Sequence, residues 1–159
     1  AGQGSTWTDY GDILQQLTAA LDGGAALAMF RTMVEAQGGD VAMVDDPALL
    51  PTASIIEDIT ADADTHIAAV GAGTIARVAF DLGGGRATKK DTLDHAVGVV
   101  VHVKVGDVVK AGQPLLTLHA NDRAKLQPAL ALARSALRFS SDPVKPLPHV
   151  YQTIVGKAK

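Results

Sequence analysis

The sequence contains no cysteine, which excludes a disulfide scaffold, a thiol nucleophile and any cysteine-ligated zinc or iron–sulfur site. Aromatic residues make up only 4% of the chain, and 14 Lys+Arg against 17 Asp+Glu leave a net charge of −3. Without a basic stripe to neutralise phosphates or aromatics on which bases could stack, nucleic acid is excluded as the main partner. Long apolar runs are also missing. The stretch from Ile13 to Phe30 is interrupted by Gln15, Gln16, Asp22 and a Gly23-Gly24 pair. Ala96 to Val103 falls far short of the roughly 20 residues a helix needs to cross a bilayer. No membrane segment is expected. Nor is a signal peptide, because no basic region followed by an apolar run opens the chain. A cytoplasmic location fits the absence of cysteine.

What the sequence does have is a folding composition: 159 residues, 47% hydrophobic and 19% charged. That length suits one domain or two small lobes with a real core. Residues 1–11 read as a polar, Gly-rich lead-in carrying the only tryptophan, Trp7. Asp12 is a candidate N-cap for a helix whose apolar positions are Ile13, Leu14, Leu17, Ala20 and Leu21. The pattern breaks at Gly23-Gly24, resumes with Leu27, Phe30, Met33 and Val34, and stops at Gly38-Gly39. Two short helices, or one sharply bent, are predicted over 12–37. A linker with a lobe boundary is predicted over 38–53, where Asp45-Asp46-Pro47 and Leu50-Pro51 read as loop.

Beyond it, β-branched residues predict strands at 55–59 and 65–70. Ile75, Val78, Ala79 and Leu82 predict a short helix ending on Gly83-Gly84-Gly85. The valine-rich run 97–105 reads as a strand buried on both faces. Turns follow at 105–107 and 111–113, with strands at 108–109 and 114–118. A helix is predicted from Asp122 to Ser140, weakened near Pro128. After the prolines of 141–149, a last short strand is predicted over 150–155. The fold class is α+β: a helical segment, then a lobe of mixed sheet and helices.

Chemistry is sparse. The histidines (His66, His95, His102, His119 and His149) include no i, i+4 pair and no His-Glu-x-x-His, so no metal is expected. His102 and His119 lie on strands that could pair, leaving open a site built with carboxylates only in three dimensions. There is no Gly-x-Ser-x-Gly elbow, no phosphate loop ending in Gly-Lys-Ser/Thr and no Gly-x-Gly-x-x-Gly. Asp45-Asp46, Asp62/Asp64 and Asp91/Asp94 read as capping and solvated carboxylates. One segment could cradle an anion: Gly83, Gly84, Gly85 and Arg86 with Lys89 and Lys90. The glycines follow a helix, however, and a helix C-terminus carries the wrong sign for phosphate. A C-cap and tight turn is the favoured reading.

The run Lys104-Val105-Gly106-Asp107-Val108-Val109-Lys110-Ala111-Gly112-Gln113-Pro114-Leu115 resembles the sandwich of biotinyl and lipoyl carrier domains. Those carriers need an exposed lysine beside methionine or an acidic residue and alanine. None of Met29, Met33 and Met43 adjoins a lysine, which argues against a carrier role.

Several motifs together resemble the C-terminal portion of thymidine/pyrimidine-nucleoside phosphorylases. They are Gly-Gly-Ala-Ala-Leu-Ala-Met-Phe (23–30), Met-Val-Glu-Ala-Gln-Gly-Gly-Asp (33–40), Leu49-Leu50-Pro51 and Leu82-Gly83-Gly84-Gly85-Arg86. Lys90-Asp91-Thr92-Leu93-Asp94-His95-Ala96-Val97-Gly98, the 105–115 run, and Leu137, Ser140-Ser141-Asp142, Pro148 and Tyr151 continue in order. Departures are Gly71, where an acidic residue is common, and Ala76, where a glycine is common. The resemblance implies an α/β-hammerhead (biotinyl-like sandwich) lobe. Residues 1–37 would lead out of a large α/β domain, 38–53 would be a linker, and 54–159 the family's C-terminal domain. It implies a pentosyltransferase: pyrimidine nucleoside plus phosphate gives free base plus (deoxy)ribose 1-phosphate. Such enzymes are homodimers whose active-site cleft lies between a helical and an α/β domain. Their phosphate- and base-holding residues come from the N-terminal two thirds, so no catalytic residue is expected in this chain. Phosphate would be the co-substrate of the intact enzyme, and the missing N-terminal catalytic portion the partner. Gly83, Gly84, Gly85, Arg86, Lys89 and Lys90 would form a loop at the cleft rim. A nucleoside-monophosphate phosphorylase of the same broad family is the allied alternative. A carrier-like binding module and a complete small enzyme using His102 and His119 are the others.

Overall fold

Glycine pairs and buried leucines set the organisation of the chain, seen here in a computed structural model that describes residues 10–86, 88–152 and 154. Two units result, Ala1–Leu50 and Pro51–Lys159. In the first, α1 (Tyr10–Asp22) and α2 (Ala25–Ala36) contact one another across the Gly23-Gly24 break. Gly24 takes φ 79, a left-handed conformation that glycine reaches without steric cost. Over 38–53, expected as plain linker, the chain instead forms α3 (Ala42–Asp45) and a 3₁₀ turn (Pro47–Leu49). The Asp46 carboxylate accepts from the Ala48 N–H at 3.0 Å, so the Asp-Pro that reads as loop also starts a turn of helix. None of these four elements has a buried residue. The lead-in with Trp7 lies outside the described residues, apart from Tyr10 and Gly11 in the first turn of α1.

The second unit is α+β. One antiparallel sheet runs β1 (Ile55–Thr60), β5 (Pro114–Ala120) and β3 (Gly98–Val101), with β5 central. The other runs β4 (Val108–Val109), β2 (Thr65–Val70) and β6 (Leu137–Ser140), with β2 central. Between β2 and β3 comes α4 (Ala72–Ala79), followed by a widened turn Phe80–Gly84; α5 (Arg123–Ser135) links β5 to β6. The core is Ile59, Ile67, Val78, Leu82, Val109, Leu115, Leu116, Leu118, Leu126 and their neighbours. It contains no buried polar or charged residue among those described. The Asp122 carboxylate caps α5 by accepting from the Ala124 and Lys125 N–H groups.

Four expectations are corrected. Asp12 is not an N-cap: α1 already includes Tyr10 and Gly11, so Asp12 lies within the first turn, where its negative charge suits the helix start. The valine run is not buried on both faces: β3 covers only Gly98–Val101, and Val100 and Val101 are 46% and 40% exposed. It is an edge strand, with β5 on one side only. Valine reports the extended backbone that β-branching favours, and is silent about what lies beside it. The helix expected to Ser140 ends at Ser135, and Leu137–Ser140 is a strand that pairs Val70 with Leu137 and Ile67 with Phe139. Of the strand expected over 150–155, residues 150–152 and 154 carry none, while 153 and 155 lie outside the described residues.

Candidate functional site

The glycine loop is built from α4 outward. Arg77 lies near the end of that helix, its Nε bonded to the Asp81 carboxylate at 2.9 Å and its guanidinium 5.3 Å from the centre of the Phe80 ring. Phe80 in turn covers Gly85, where an added Cβ would sit 2.0 Å from a ring carbon. Gly84 has the Ala79 carbonyl oxygen 3.0 Å from where its Cβ would be. Gly83 takes φ 120, and its carbonyl accepts from the Asp94 N–H at 3.1 Å. Each glycine therefore answers a steric demand of the turn.

Beyond them Arg86, Lys89 and Lys90 are exposed. The Asp91 carboxylate accepts from the Thr88 N–H at 2.9 Å and from its hydroxyl at 2.7 Å, and the Lys90 N–H reaches the Thr88 Oγ1 at 3.3 Å. On the far side of the loop, Asp94 accepts from Asn121 Nδ2 at 2.8 Å and from the Ala96 N–H at 3.0 Å. Those donors, Asn121 first, hold the Asp94 carboxyl below its ordinary range. Asn121 Oδ1 accepts from the Ser54 N–H at 2.7 Å, tying the entry of β1 to the exit of β5. Among the described residues, the side-chain hydrogen bonds around the loop run to Asp91 and Asp94.

Three further carboxylates are engaged as well. Asp64 accepts from Lys110 Nζ at 2.8 Å and the Ala111 N–H at 3.0 Å; these hydrogen bonds, the lysine's first, lower its pKa and raise that of Lys110. Asp62 pairs with Arg134. Asp45 takes the Arg31 fork at 2.9–3.2 Å, which lowers its pKa. Lys110, the lysine between the two glycine turns, pairs with Asp64 at the surface.

Sequence reasoning missed one cluster. His102 Nε2 lies 2.7 Å from Thr117 Oγ1, which donates to Asp58 Oδ1 at 2.5 Å. The single hydroxyl proton of Thr117 goes to Asp58, so the histidine nitrogen must supply the proton of the other bond. That fixes the Nε2–H form of His102. It is the reverse of a nucleophile relay, in which the hydroxyl gives its proton toward the imidazole. His119 shares no hydrogen bond with this group, in which Asp58 and His102 are exposed and Thr117 is half-buried. Only the β1–β5–β3 register brings them together, placing Asp58 opposite Thr117. No spacing along the chain signals it.

His66, on β2, is half-buried with Nδ1 unpartnered among the described residues. His149 lines a cavity of about 630 Å³ with Lys104, Asp107, Pro146, Leu147 and Tyr151. No group of three or more His, Asp or Glu that could hold a metal occurs among the described residues. No described helix is long and apolar enough to cross a membrane.

Residues 66–140 match the family described as "Pyrimidine nucleoside phosphorylase C-terminal domain". The chain is 39% identical over 138 residues to the pyrimidine-nucleoside phosphorylase of Geobacillus stearothermophilus, covering 87% of this chain and 32% of that protein. It is 46% identical over 107 residues to that of Staphylococcus haemolyticus, covering 67% and 25%. For Bacillus subtilis the figures are 37% over 131 residues, 82% and 30%. The chain spans a third or less of the length of these relatives. The matched segment opens inside β2 and closes at the end of β6, so it omits β1, although β1 pairs along its length with β5 and places Ile59 in the core. The family resemblance carried by the sequence motifs is shown by these matches.

Proposed function

We propose, from the premise that this chain corresponds to the C-terminal portion of a pyrimidine-nucleoside phosphorylase, that it is a scaffold and not the catalytic part of that enzyme. The match of residues 66–140 to the family's C-terminal domain carries this reading. The intact enzyme converts a pyrimidine nucleoside and phosphate to the free base and (deoxy)ribose 1-phosphate, with phosphate as its only co-substrate. The sugar develops positive charge as the glycosidic bond breaks, and phosphate must be oriented to attack it. Such chemistry calls for convergent donors and cations in a closing cleft. Among the described residues many of the carboxylates, with Lys110 and Arg134, are instead engaged in caps, turns and surface pairs, over a core without a polar residue. What this chain contributes is shape and rigidity.

In this reading the α+β unit is the family's hammerhead lobe, working in the cytoplasm within a homodimer. Arg86, Lys89 and Lys90 lie at the cleft rim on the turn of Gly83, Gly84 and Gly85. If so, hydrogen exchange in that turn slows when substrates close the intact enzyme; equal exchange with and without them removes the loop from the cleft.

Phosphate-dependent release of thymine from thymidine is the deciding assay. The 159-residue chain alone is expected to be silent. A chimera in which it replaces the matched C-terminal third of the Geobacillus stearothermophilus enzyme is expected to turn over. Activity in the isolated chain, or a folded but inactive chimera, overturns the scaffold reading.

A further inference from the structure

The cavity of about 630 Å³ lined by His149 has walls from two stretches of the α+β unit. One is the Lys104–Asp107 turn. The Asp107 carboxylate accepts from the Lys104 N–H at 2.8 Å, and the Asp107 N–H donates to the Lys104 carbonyl at 3.1 Å. Gly106 donates to the carbonyl of fully buried Ile67 at 2.9 Å, which fastens the turn to β2. The other wall is the tail around Pro146 and Pro148, whose rings fix φ. Pro146 presses on Gly106 so closely that a Cβ there would lie 2.8–2.9 Å from it. Both walls are thus held before any ligand arrives, and the volume falls within the range of about 300–1,000 Å³ usual for small-molecule sites.

The lining is chemically mixed. Lys104 brings an ammonium with no partner among the described residues. Asp107 spends Oδ2 on the turn and keeps Oδ1 to accept a proton from a ligand. Tyr151 is 77% exposed, with a hydroxyl to donate and a ring face to stack on. His149 adds a ring nitrogen of either role. One cation and one anion cancel, so nothing here selects a polyanion. The set suits a flat, neutral ring with an N–H between two carbonyls: the N–H for Asp107, the oxygens for Lys104 and Tyr151, the faces for proline and tyrosine. We propose that this cavity binds a pyrimidine ring, taken as free base or as nucleoside. The choice of ring rests on the reading given under Proposed function, whose reaction consumes the one and releases the other. The site itself rests on residues to which the sequence resemblance gives no part in holding substrate.

Titration of the isotopically labelled 159-residue chain with uracil, thymine, uridine and thymidine, followed by its amide resonances, tests this. Amides of the Lys104–Asp107 turn and of His149 to Tyr151 should shift, and those of α1 and α2 should stay in place. Shifts with the bases only, or with the nucleosides only, support the proposal and name the source of the ring. Lys104→Ala and Tyr151→Ala alter exposed side chains, and each should weaken binding about tenfold with the core resonances unmoved. Uracil methylated on both ring nitrogens keeps the ring but has no N–H, and it should bind the parent chain about tenfold more weakly than uracil. That comparison needs no variant to fold. No shift at these amides up to the solubility of all four ligands overturns the proposal. So does equal binding of the methylated ring, unchanged binding in either folded variant, or the same shifts with inorganic phosphate alone. Thymine release is read separately. A chain that binds the ring while the chimera is folded and inactive keeps this inference and ends the scaffold reading. An active chimera beside a silent chain that binds no ring does the reverse.

Discussion

The two units draw on the same kinds of residue and use them in opposite ways. In Pro51–Lys159, leucine, isoleucine and valine converge from two sheets and two helices, and Ile67, Leu116, Leu118 and Leu126 have no exposed surface. In Ala1–Leu50, equally regular leucines leave no described helical residue buried. Apolar periodicity therefore states that a face needs cover without stating whether the cover is in the same chain. The α+β unit buries its own apolar side chains, while those of the described helices in the first unit stay exposed or half-buried.

The sharpest break of this contrast is a matched pair of truncations. Leu118→Ala should cost about 2–5 kcal/mol, the transfer term plus the cavity left behind. Leu17→Ala should change the stability of the isolated chain by less than about 0.5 kcal/mol. Urea unfolding of both variants checks this, and equal losses would erase the distinction between the units.

Next in size is Gly106→Ala. Gly106 takes φ 97, and a Cβ there would lie 2.8–2.9 Å from Pro146. About 1–3 kcal/mol should be lost, whereas Gly112→Ala, at φ 80 but with no atom within 4 Å, should lose only the backbone part. A smaller effect is expected for the cap of α5: Asp122→Ala should cost about 1 kcal/mol, read from the same unfolding curves.

The smallest effect is in acid. Asp64 and Asp94 have folded pKa values below their ordinary 3.8. Their contribution is therefore complete above pH 3.8 and is lost as pH falls below it through the lowered folded values. The thermal midpoint of Asp64→Asn should fall less steeply over that range than that of the parent. Lys110 runs the other way: its pKa is raised above 10.5, so its share is complete below pH 10.5 and is lost as pH rises through the folded value.

Much of this architecture was legible in the sequence, for local reasons. Gly23-Gly24 and Gly38-Gly39 punctuate the first helices, Ile55–Thr60 and Thr65–Val70 are β-branched strands, and Asp122 sits where an N-cap must. What escaped depends on neighbours distant in the chain. Leu137 satisfies a helical spacing from Ala133 and also opens a strand, and only its pairing with Val70 selects the second. The valines of β3 look the same whether the strand is central or at an edge. The loop residues Gly83–Lys90 could be picked out as unusual, but the Phe80 ring over Gly85 could not be foreseen from spacing. Asp58, Thr117 and His102 belong together only through strand register, and they are 59 and 15 residues apart.

After β3, the His102 N–H still bonds the Leu115 carbonyl in the first sheet, at 3.0 Å. Four residues later Gly106 donates to Ile67 in the second, and Ile67 donates back to Asp107, both at 2.9 Å. One short length of chain is thus a member of both sheets. A break placed between His102 and Asp107 keeps every one of these groups but severs a covalent tie between the two sheets, so each must then find its place without the other's tether.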